Sequence, residues 1–333
     1  VNYEELEGRR YVFLVTGGAG FIGSNLAIRL LEKGQAVVLL DNFSTGRREN
    51  IRDIEEFMVE NGIPGESFRL IEGDIREQEV CLHAARGVDF VLHNAALGSV
   101  PRSIEDPVAS TEANVVGTVN MLVAAKENGV KRFVYASSSS VYGDAEGLPK
   151  REGEEGKPLS PYAVTKVADE LYATCFQNVY GLEVVGLRYF NVFGPRQDAS
   201  SPYAAVIPIF IGKLLRNEPP TINGDGETTR DFTYVENAVQ ANIKAALAGR
   251  EATGKVYNIA CSRRVSLNEL YQKIADLLGK DIAPVYGPER KGDVRHSLAD
   301  ITMARTLLGY EPEIDFERGL ELSIDWYRKN LGA

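Results

Sequence analysis

The chain has 333 residues, of which 44% are apolar and 25% charged. A chain of this length buries roughly three quarters of its unfolded surface, so it needs no disulfide or metal staple to fold. Its 47 acids against 37 bases leave a net charge of −10. That balance argues against nucleic acid or an anionic membrane as main partner, because both reward a basic surface.

No apolar run approaches the ~18 residues that a membrane span requires. The first residues, VNYEELEGRR, are acidic and polar and do not read as a signal peptide. Cys81, Cys175 and Cys261 are few, odd in number and far apart. They read as reduced thiols, which predicts a cytoplasmic protein. No Cys/His spacing suggests a metal site.

Strand and helix signals alternate from the start. Strands are expected at 11–15, 36–40, 68–71, 90–92, 132–136 and 183–187, mostly as continuous apolar runs. Between the first two, Ile22, Leu26 and Leu30 keep a helical period, and Gly34 stands where that helix should stop. One long helix is expected from 106 to 129, with Pro107 in its first turn, and another from 160 to 181. After Arg188 the rhythm breaks into a stretch rich in Pro, Gly and polar residues. Strand-like runs at 232–235 and 256–260 suggest a return to the sheet. Ser266 and Glu269 form a capping-box pattern before a further helix.

The first strand runs into Thr16-Gly17-Gly18-Ala19-Gly20-Phe21-Ile22-Gly23. Glycines at such a strand–helix turn let the backbone approach a pyrophosphate, which the helix N-terminus favours electrostatically. Asp41 closes the next strand, near the ~20-residue spacing at which an acid meets a ribose 2′-hydroxyl. A carboxylate there repels a 2′-phosphate, so NAD is expected rather than NADP. Arg47 and Arg48, just beyond, weaken that exclusion. The fold class is therefore α/β: a Rossmann doubly wound parallel sheet with a smaller C-terminal α/β substrate lobe. Residues 1–188 and about 232–262 form the dinucleotide domain, and about 189–231 and 263–333 form the lobe.

Tyr162 and Lys166 stand four apart on one helix, so their side chains share a face. An ordinary Tyr has a pKa of ~10, and bringing it to ~7 takes about 4 kcal/mol of preferential stabilisation of the phenolate. A neighbouring ammonium supplies part of this. An isolated pair with this spacing is usually a plain surface feature. Here it follows a dinucleotide fingerprint and a strand that ends in the serine run 137–140.

TGGAGFIG, Asp41, the serine run closing on Val141-Tyr142-Gly143, the Tyr162/Lys166 pair and Arg188-Tyr189-Phe190-Asn191-Val192-Phe193-Gly194 resemble the extended short-chain dehydrogenase/reductase family over nearly the whole chain. Within it the chain is most similar to the UDP-sugar 4-epimerases. The resemblance implies Tyr162, Lys166 and Ser138 as catalytic residues. It implies a cofactor site of Gly17, Gly20, Phe21, Ile22, Gly23, Asp41, Asn42, Ser44, Thr45, Gly46, Asp74, Ile75, Ala95, Asn114 and Phe190, together with Tyr162 and Lys166. For the UDP-sugar it implies Ser99, Ser138, Ser139, Tyr162, Asn191, Gln197, Ala205, Val206, Asn223, Arg230, Arg290, Asp293 and Ser297. Arginine forks suit diphosphate oxygens, which gives Arg230 and Arg290 a chemical reason to be there.

Related dehydratases and decarboxylases resemble this pattern but carry acids shortly before the equivalent of Tyr142. This chain has Ser139, Ser140 and Val141 there, so elimination lacks its proton donor. Epimerases restricted to glucose and galactose often carry a bulky Tyr at the position of Ser297. Gly98-Ser99, Gln197 and Ser297 resemble the UDP-N-acetylglucosamine 4-epimerases of bacterial surface-polysaccharide synthesis. The expected substrate is therefore UDP-N-acetylglucosamine, with UDP-glucose/UDP-galactose or both classes as the alternative, because a small residue permits a larger sugar without creating a preference for it. A net oxidoreductase and an NAD-binding sensor are more distant rivals. Relatives pair through helices corresponding to 106–128 and 160–180, which implies a homodimer. The apolar faces alone fit either pairing or packing within one chain.

Overall fold

Seven parallel strands form the centre of the molecule. The computed structural model describes residues 3, 6, 8–199, 201, 203–289 and 295–331, residue 331 by its backbone alone. Strands β1 (Val12–Thr16), β2 (Ala36–Asp41), β3 (Phe68–Glu72), β4 (Phe90–His93), β5 (Arg132–Ser138) and β6 (Val184–Tyr189) come first. Four short strands follow: β7 (Val192–Phe193), β8 (Thr221–Asn223), β9 (Thr229–Arg230) and β10 (Thr233–Tyr234). The chain then returns as β11 (Lys255–Ile259), and the sheet order is β3-β2-β1-β4-β5-β6-β11. The order reverses between β1 and β4, which opens the crevice that dinucleotide folds use.

The strands are apolar on both faces because helices cover both. Phe13 and Val15 of β1 point to one core and Leu14 to the other. On the first face lie α1 (Phe21–Glu32) and α2 (Arg48–Glu60). On the second, α3 (Gln78–Ala84) supplies Cys81 and Ala84. Each fully buried aliphatic or aromatic side chain contributes about 1.5–3 kcal/mol, so the two faces specify the layering.

The helix expected over 106–129 is built in pieces. A short α4 (Val100–Glu105), which sequence periodicity did not suggest, precedes α5 (Pro107–Thr111). A π turn at Glu112–Val116 then leads into α6 (Gly117–Glu127). Such a turn inserts one extra residue into the helical repeat. It carries Asn114, which is fully buried. The second long helix, α7 (Pro161–Tyr180), is continuous and ends at Gly181 in the left-handed conformation.

The run at 232–235 does not rejoin the main sheet. Thr233–Tyr234 pairs only with β7, because Val235 already opens α9 (Val235–Leu247), which follows α8 (Val206–Leu215). Further on, β12 (Val265–Ser266) pairs with β9, and α10 (Leu267–Leu278) starts with Ser266 Oγ accepting from Glu269 N–H at 3.1 Å. Strand β13 (Val285–Gly287) pairs with β8. Helices α11 (Thr302–Leu308) and α12 (Phe316–Leu331) complete the chain. A third core joins α8, α10 and α12, with Phe316 5.9 Å from Phe193 and 5.5 Å from Phe232, centroid to centroid.

Candidate active site

The glycine turn closes on itself. Gly17 has φ +66°, and a Cβ there would meet the Ala95 backbone at 2.9 Å. A Cβ on Gly23 would stand 2.2 Å from Gly17 O, so only glycine lets α1 begin this close to β1. Asp41, at the end of β2, is nearly buried and accepts the Ala19 and Phe43 backbone N–H groups at 2.9 and 2.8 Å. Burial pushes its carboxyl upward while those two donors pull it back.

A cavity of about 300 Å³ opens over this turn. Gly17, Gly20, Phe21, Ile22, Gly23, Asp41, Asn42, Ser44, Thr45, Asp74, Ile75 and Ala95 all line it. Gly46 sits behind Asp41, where a Cβ would come within 2.6 Å of the carboxylate. Asn114 stands behind the wall: its Oδ1 accepts from Leu97 N–H at 2.7 Å and its Nδ2 donates to Thr165 Oγ1 at 3.0 Å. Phe190 is fully buried against Tyr142. Sequence reasoning missed Asn94, Ala96, Leu97, Arg76 and Ala113 in the lining. Asn94 lines the cavity and carries a buried Nδ2 with no partner among the described residues, a donor that a ligand could satisfy. Its position directly after β4, at the reversal of strand order, was the available signal.

A second cavity of about 480 Å³ lies against the third core. Asn191, Ala205, Val206, Asn223 and Arg230 line it, with Phe193, Lys213 and Arg295. The carboxyl end of β6 reaches toward both cavities. Tyr189 donates its hydroxyl to Asn94 Oδ1 at 3.2 Å on the first side, and Asn191, two residues on, lines the second. Gln197 donates to Val192 O at 3.1 Å and keeps a buried, unpartnered Oε1. Ser297 N–H donates to Thr229 O at 3.1 Å, which places it beside Arg230. Arg290 and Asp293 lie outside the described residues. His296 pairs with Thr229 Oγ1 at 3.0 Å, as a lobe residue.

The pair on α7 is held from several sides. Ser160 caps the helix, accepting from Ala163 N–H at 3.1 Å. Lys166 is almost fully buried and its Nζ donates to Ala136 O at 2.9 Å and Asp169 Oδ2 at 3.1 Å. Burial alone would lower this ammonium's pKa, but Asp169 and the Tyr162 phenol hold it above the ordinary lysine value. Glu170, next in sequence, takes the Arg188 fork at 2.9 and 2.7 Å and the Ser137 hydroxyl at 2.5 Å. This anchors α7 to β5 and β6. Ser138 closes β5 and caps the turn that Ser139 opens, its Oγ accepting from Ser140 N–H at 3.1 Å. Ser99 caps α4, accepting from Arg102 N–H. Among the described residues no cluster of His, Cys, Asp or Glu could hold a metal.

A dinucleotide cradle, a buried ammonium beside a tyrosine and a second polar cavity are the parts of a cofactor-dependent enzyme. The NAD dependent epimerase/dehydratase family matches residues 13–260. The chain belongs to that family. Its cofactor is NAD, and the glycine turn, Asp41 and the unpartnered Asn94 amide fit that group. Among solved members of the epimerase/dehydratase family, a UDP-N-acetylglucosamine 4-epimerase from Methanobrevibacter ruminantium, bound to UDP-N-acetylmuramic acid, is 39% identical. Its TM-score is 0.89, over 97% of this chain and 99% of that one. A UDP-glucose 4-epimerase from Thermotoga maritima, bound to UDP-glucose, is 37% identical with a TM-score of 0.88, over 96% and 99%. A UDP-glucose 4-epimerase from Mycolicibacterium smegmatis is 38% identical, over 95% of this chain and 98% of its own. Among the described residues no helix is long and apolar enough to cross a membrane.

Proposed function

We propose that this protein inverts C4 of a UDP-sugar, interconverting UDP-N-acetylglucosamine and UDP-N-acetylgalactosamine. The observation that carries the reading is the Tyr162/Lys166 pair followed through to Ser138, with Ser139, Ser140 and Val141 where an eliminating enzyme needs an acid.

Tyr162, as phenolate, takes the proton from the sugar 4-hydroxyl, directly or through Ser138. The Lys166 ammonium stabilises that phenolate. Bound NAD supplies a hydride acceptor at C4 that also gives the hydride back, so there is no net redox. Arg230 and Asn191 hold the diphosphate while the flat 4-keto sugar turns about its phosphate linkage. Tyr162 then returns its proton to O4 as the hydride comes back to the other face of C4. The acidic chain holds its anionic substrate through these local groups.

The N-acetylated reading rests on Ser297, whose small side chain permits an N-acetyl group at C2, and on the resemblance at Gly98-Ser99 and Gln197. A UDP-glucose/UDP-galactose enzyme is the second reading, favoured by the two glucose-type relatives. Incubation with UDP-N-acetylglucosamine and, separately, UDP-glucose, followed by product NMR, decides between them. Tyr162→Phe should lower turnover at least ~100-fold and leave NAD content unchanged. A variant keeping a tenth of the wild-type rate defeats the assignment of the base.

We also infer that two copies pair through α4, α5 and α7. Ile104, Val108, Leu171 and Val179 are each more than 60% exposed. Apolar side chains this exposed and this close in the fold mark a surface that another chain covers. The protein is assigned to the cytoplasm on its reduced cysteines.

A further inference from the structure

The catalytic lysine has a buried counter-charge that the mechanism above does not use. Asp169 is 1% exposed and lies one turn beyond Lys166 on α7, with Oδ2 3.1 Å from Nζ. Its other oxygen makes no close hydrogen bond, although the Thr118 hydroxyl of α6 stands near enough to favour the ionised form. A buried carboxylate costs several kcal/mol unless something in the site uses its charge.

Behind Asp169 runs a line of buried groups that ends at the cofactor cavity. Thr118 Oγ1 is 3.0 Å from His93 Nε2, and His93 Nδ1 is 2.8 Å from Thr16 Oγ1. Thr16 Oγ1 accepts from the backbone N–H of Ala95 at 3.2 Å, and Ala95 lines the cavity. Burial, with Lys166 nearby, holds the His93 pKa down to about 3, so the ring is neutral. The directions of the bonds then follow. Ionised Asp169 is the strongest acceptor near the line, so the Thr118 hydroxyl turns its hydrogen toward it. Thr118 accepts from His93 Nε2–H, which leaves Nδ1 free to accept from Thr16. Each hydroxyl donates once toward the next acceptor, and the histidine tautomer is fixed.

We infer that Asp169 is a positioning residue for the reaction: with Thr118, His93 and Thr16 locked behind it, it keeps the Lys166 ammonium charged and aimed at Tyr162. The inference rests on the epimerase reading only for its kinetic test. Burial pushes the Asp169 carboxyl up and Lys166 pulls it back, which leaves it at about 6, so the pair is ionised at neutral pH. The other titratable groups facing the pair are Tyr162 and Glu170 on α7, His93 from β4 and Tyr135 from β5. Glu170 is neutralised by the Arg188 fork from β6. His93 and Tyr135 are uncharged near neutrality, Tyr135 because burial raises its pKa further. Asp169 is thus the carboxylate that Lys166 hydrogen-bonds directly, with Tyr162 and Glu170 adding smaller support. Without it, desolvation wins and the lysine gives up its proton at lower pH.

The test compares the NAD-loaded wild type with Asp169→Asn and Thr118→Val. In protein labelled with ¹³C-lysine, the Cε resonance missing from Lys166→Arg reports the charge on Lys166 without any substrate. The wild-type resonance should titrate above the ordinary lysine value, and Asp169→Asn should titrate at least about one unit below the wild type. Thr118→Val keeps the carboxylate, removes one donor to it, and should shift the titration in the same direction by less. The alkaline limb of kcat should move with the resonance, so Asp169→Asn should lose about twofold in kcat at its own Lys166 midpoint and about tenfold one pH unit above it, with KM unchanged. A loss of kcat equal at every pH, or a Lys166 titration unmoved in both variants, overturns the inference. If Asp169→Asn does not fold, Thr118→Val and its titration decide. If the wild type turns over neither UDP-sugar, the epimerase reading fails while the titration still tests Asp169.

Discussion

The backbone N–H of Tyr162 donates to Ser103 Oγ at 3.0 Å, across 59 positions of sequence. Tyr162 occupies the second position of α7, where an N–H has no partner within its own helix. The donor is supplied with an acceptor by a fully buried serine of α4, which is itself tied to Val100 O at 2.8 Å. The short helix therefore sets where Tyr162 stands at the start of α7.

Ser103→Ala leaves that N–H without an acceptor in a buried place. The expected loss is about 1–3 kcal/mol of stability, with turnover falling several-fold as Tyr162 loosens. Urea unfolding alongside kcat checks this. An unchanged midpoint would show that water takes over the bond.

Neither end of that contact was legible as a contact. The six apolar runs up to 187 could be read as strands because a doubly covered strand must be apolar throughout. The glycine turn, Asp41 and Tyr162/Lys166 were legible because their chemistry fixes residue type and spacing together. Ser103 and Asp169 were not, since a serine and an aspartate on helices look like solvent-facing residues until the partner across the fold is known. The π turn at Glu112–Val116 escaped because one inserted residue disturbs a 3.6 repeat less than ordinary variation does. The bridge of Thr233–Tyr234 to Val192–Phe193 escaped because two residues are too few to carry a period.

Asp74 makes the acid limb of stability testable. The Arg76 side chain, by hydrogen bond and charge, with help from Asn42, brings its pKa down to about 2 against burial. An unfolded aspartate titrates near ~3.9, so the unfolded chain binds the extra proton first. The contribution is fully present above about pH 4 and is lost as pH falls toward 2. Asp74→Asn should flatten stability against pH across that window and leave the slope above pH 5 unchanged. Urea midpoints at pH 2.5, 3.5, 5 and 7 give the comparison. An acid limb identical in the variant removes Asp74 from the account.

Leu171, on the outer face of α7, is 67% exposed. A charge placed there costs the single chain little, because the side chain meets water. Within a paired face it would be desolvated beside Ile104 and Val108 of a second copy. Leu171→Glu should therefore convert a dimer to a monomer in light scattering and leave the unfolding midpoint of dilute protein nearly unchanged. A wild type that is monomeric at micromolar concentration defeats the pairing.

Ser297 lies one residue from the strand bridge of His296 to Thr229, and its own N–H reaches Thr229 O. Arg230, the next residue along β9, lines the larger cavity. A side chain enlarged at 297 therefore has two places to go, toward the cavity or away from it, and the sugar reports which. If it enters the space beside C2 of the sugar, Ser297→Tyr excludes an N-acetyl group by steric overlap and tolerates a hydroxyl. The expected result is a fall of about 100-fold or more in kcat/KM for UDP-N-acetylglucosamine, with UDP-glucose changed by less than about threefold. Binding of NAD should be untouched, since the cofactor cavity is lined by other residues. Equal losses on both sugars would mean that the tyrosine disturbs the diphosphate grip at Arg230 instead. Unchanged kinetics on both would move the C2 pocket elsewhere and return the choice between the two substrate classes to the loop at Gly98-Ser99.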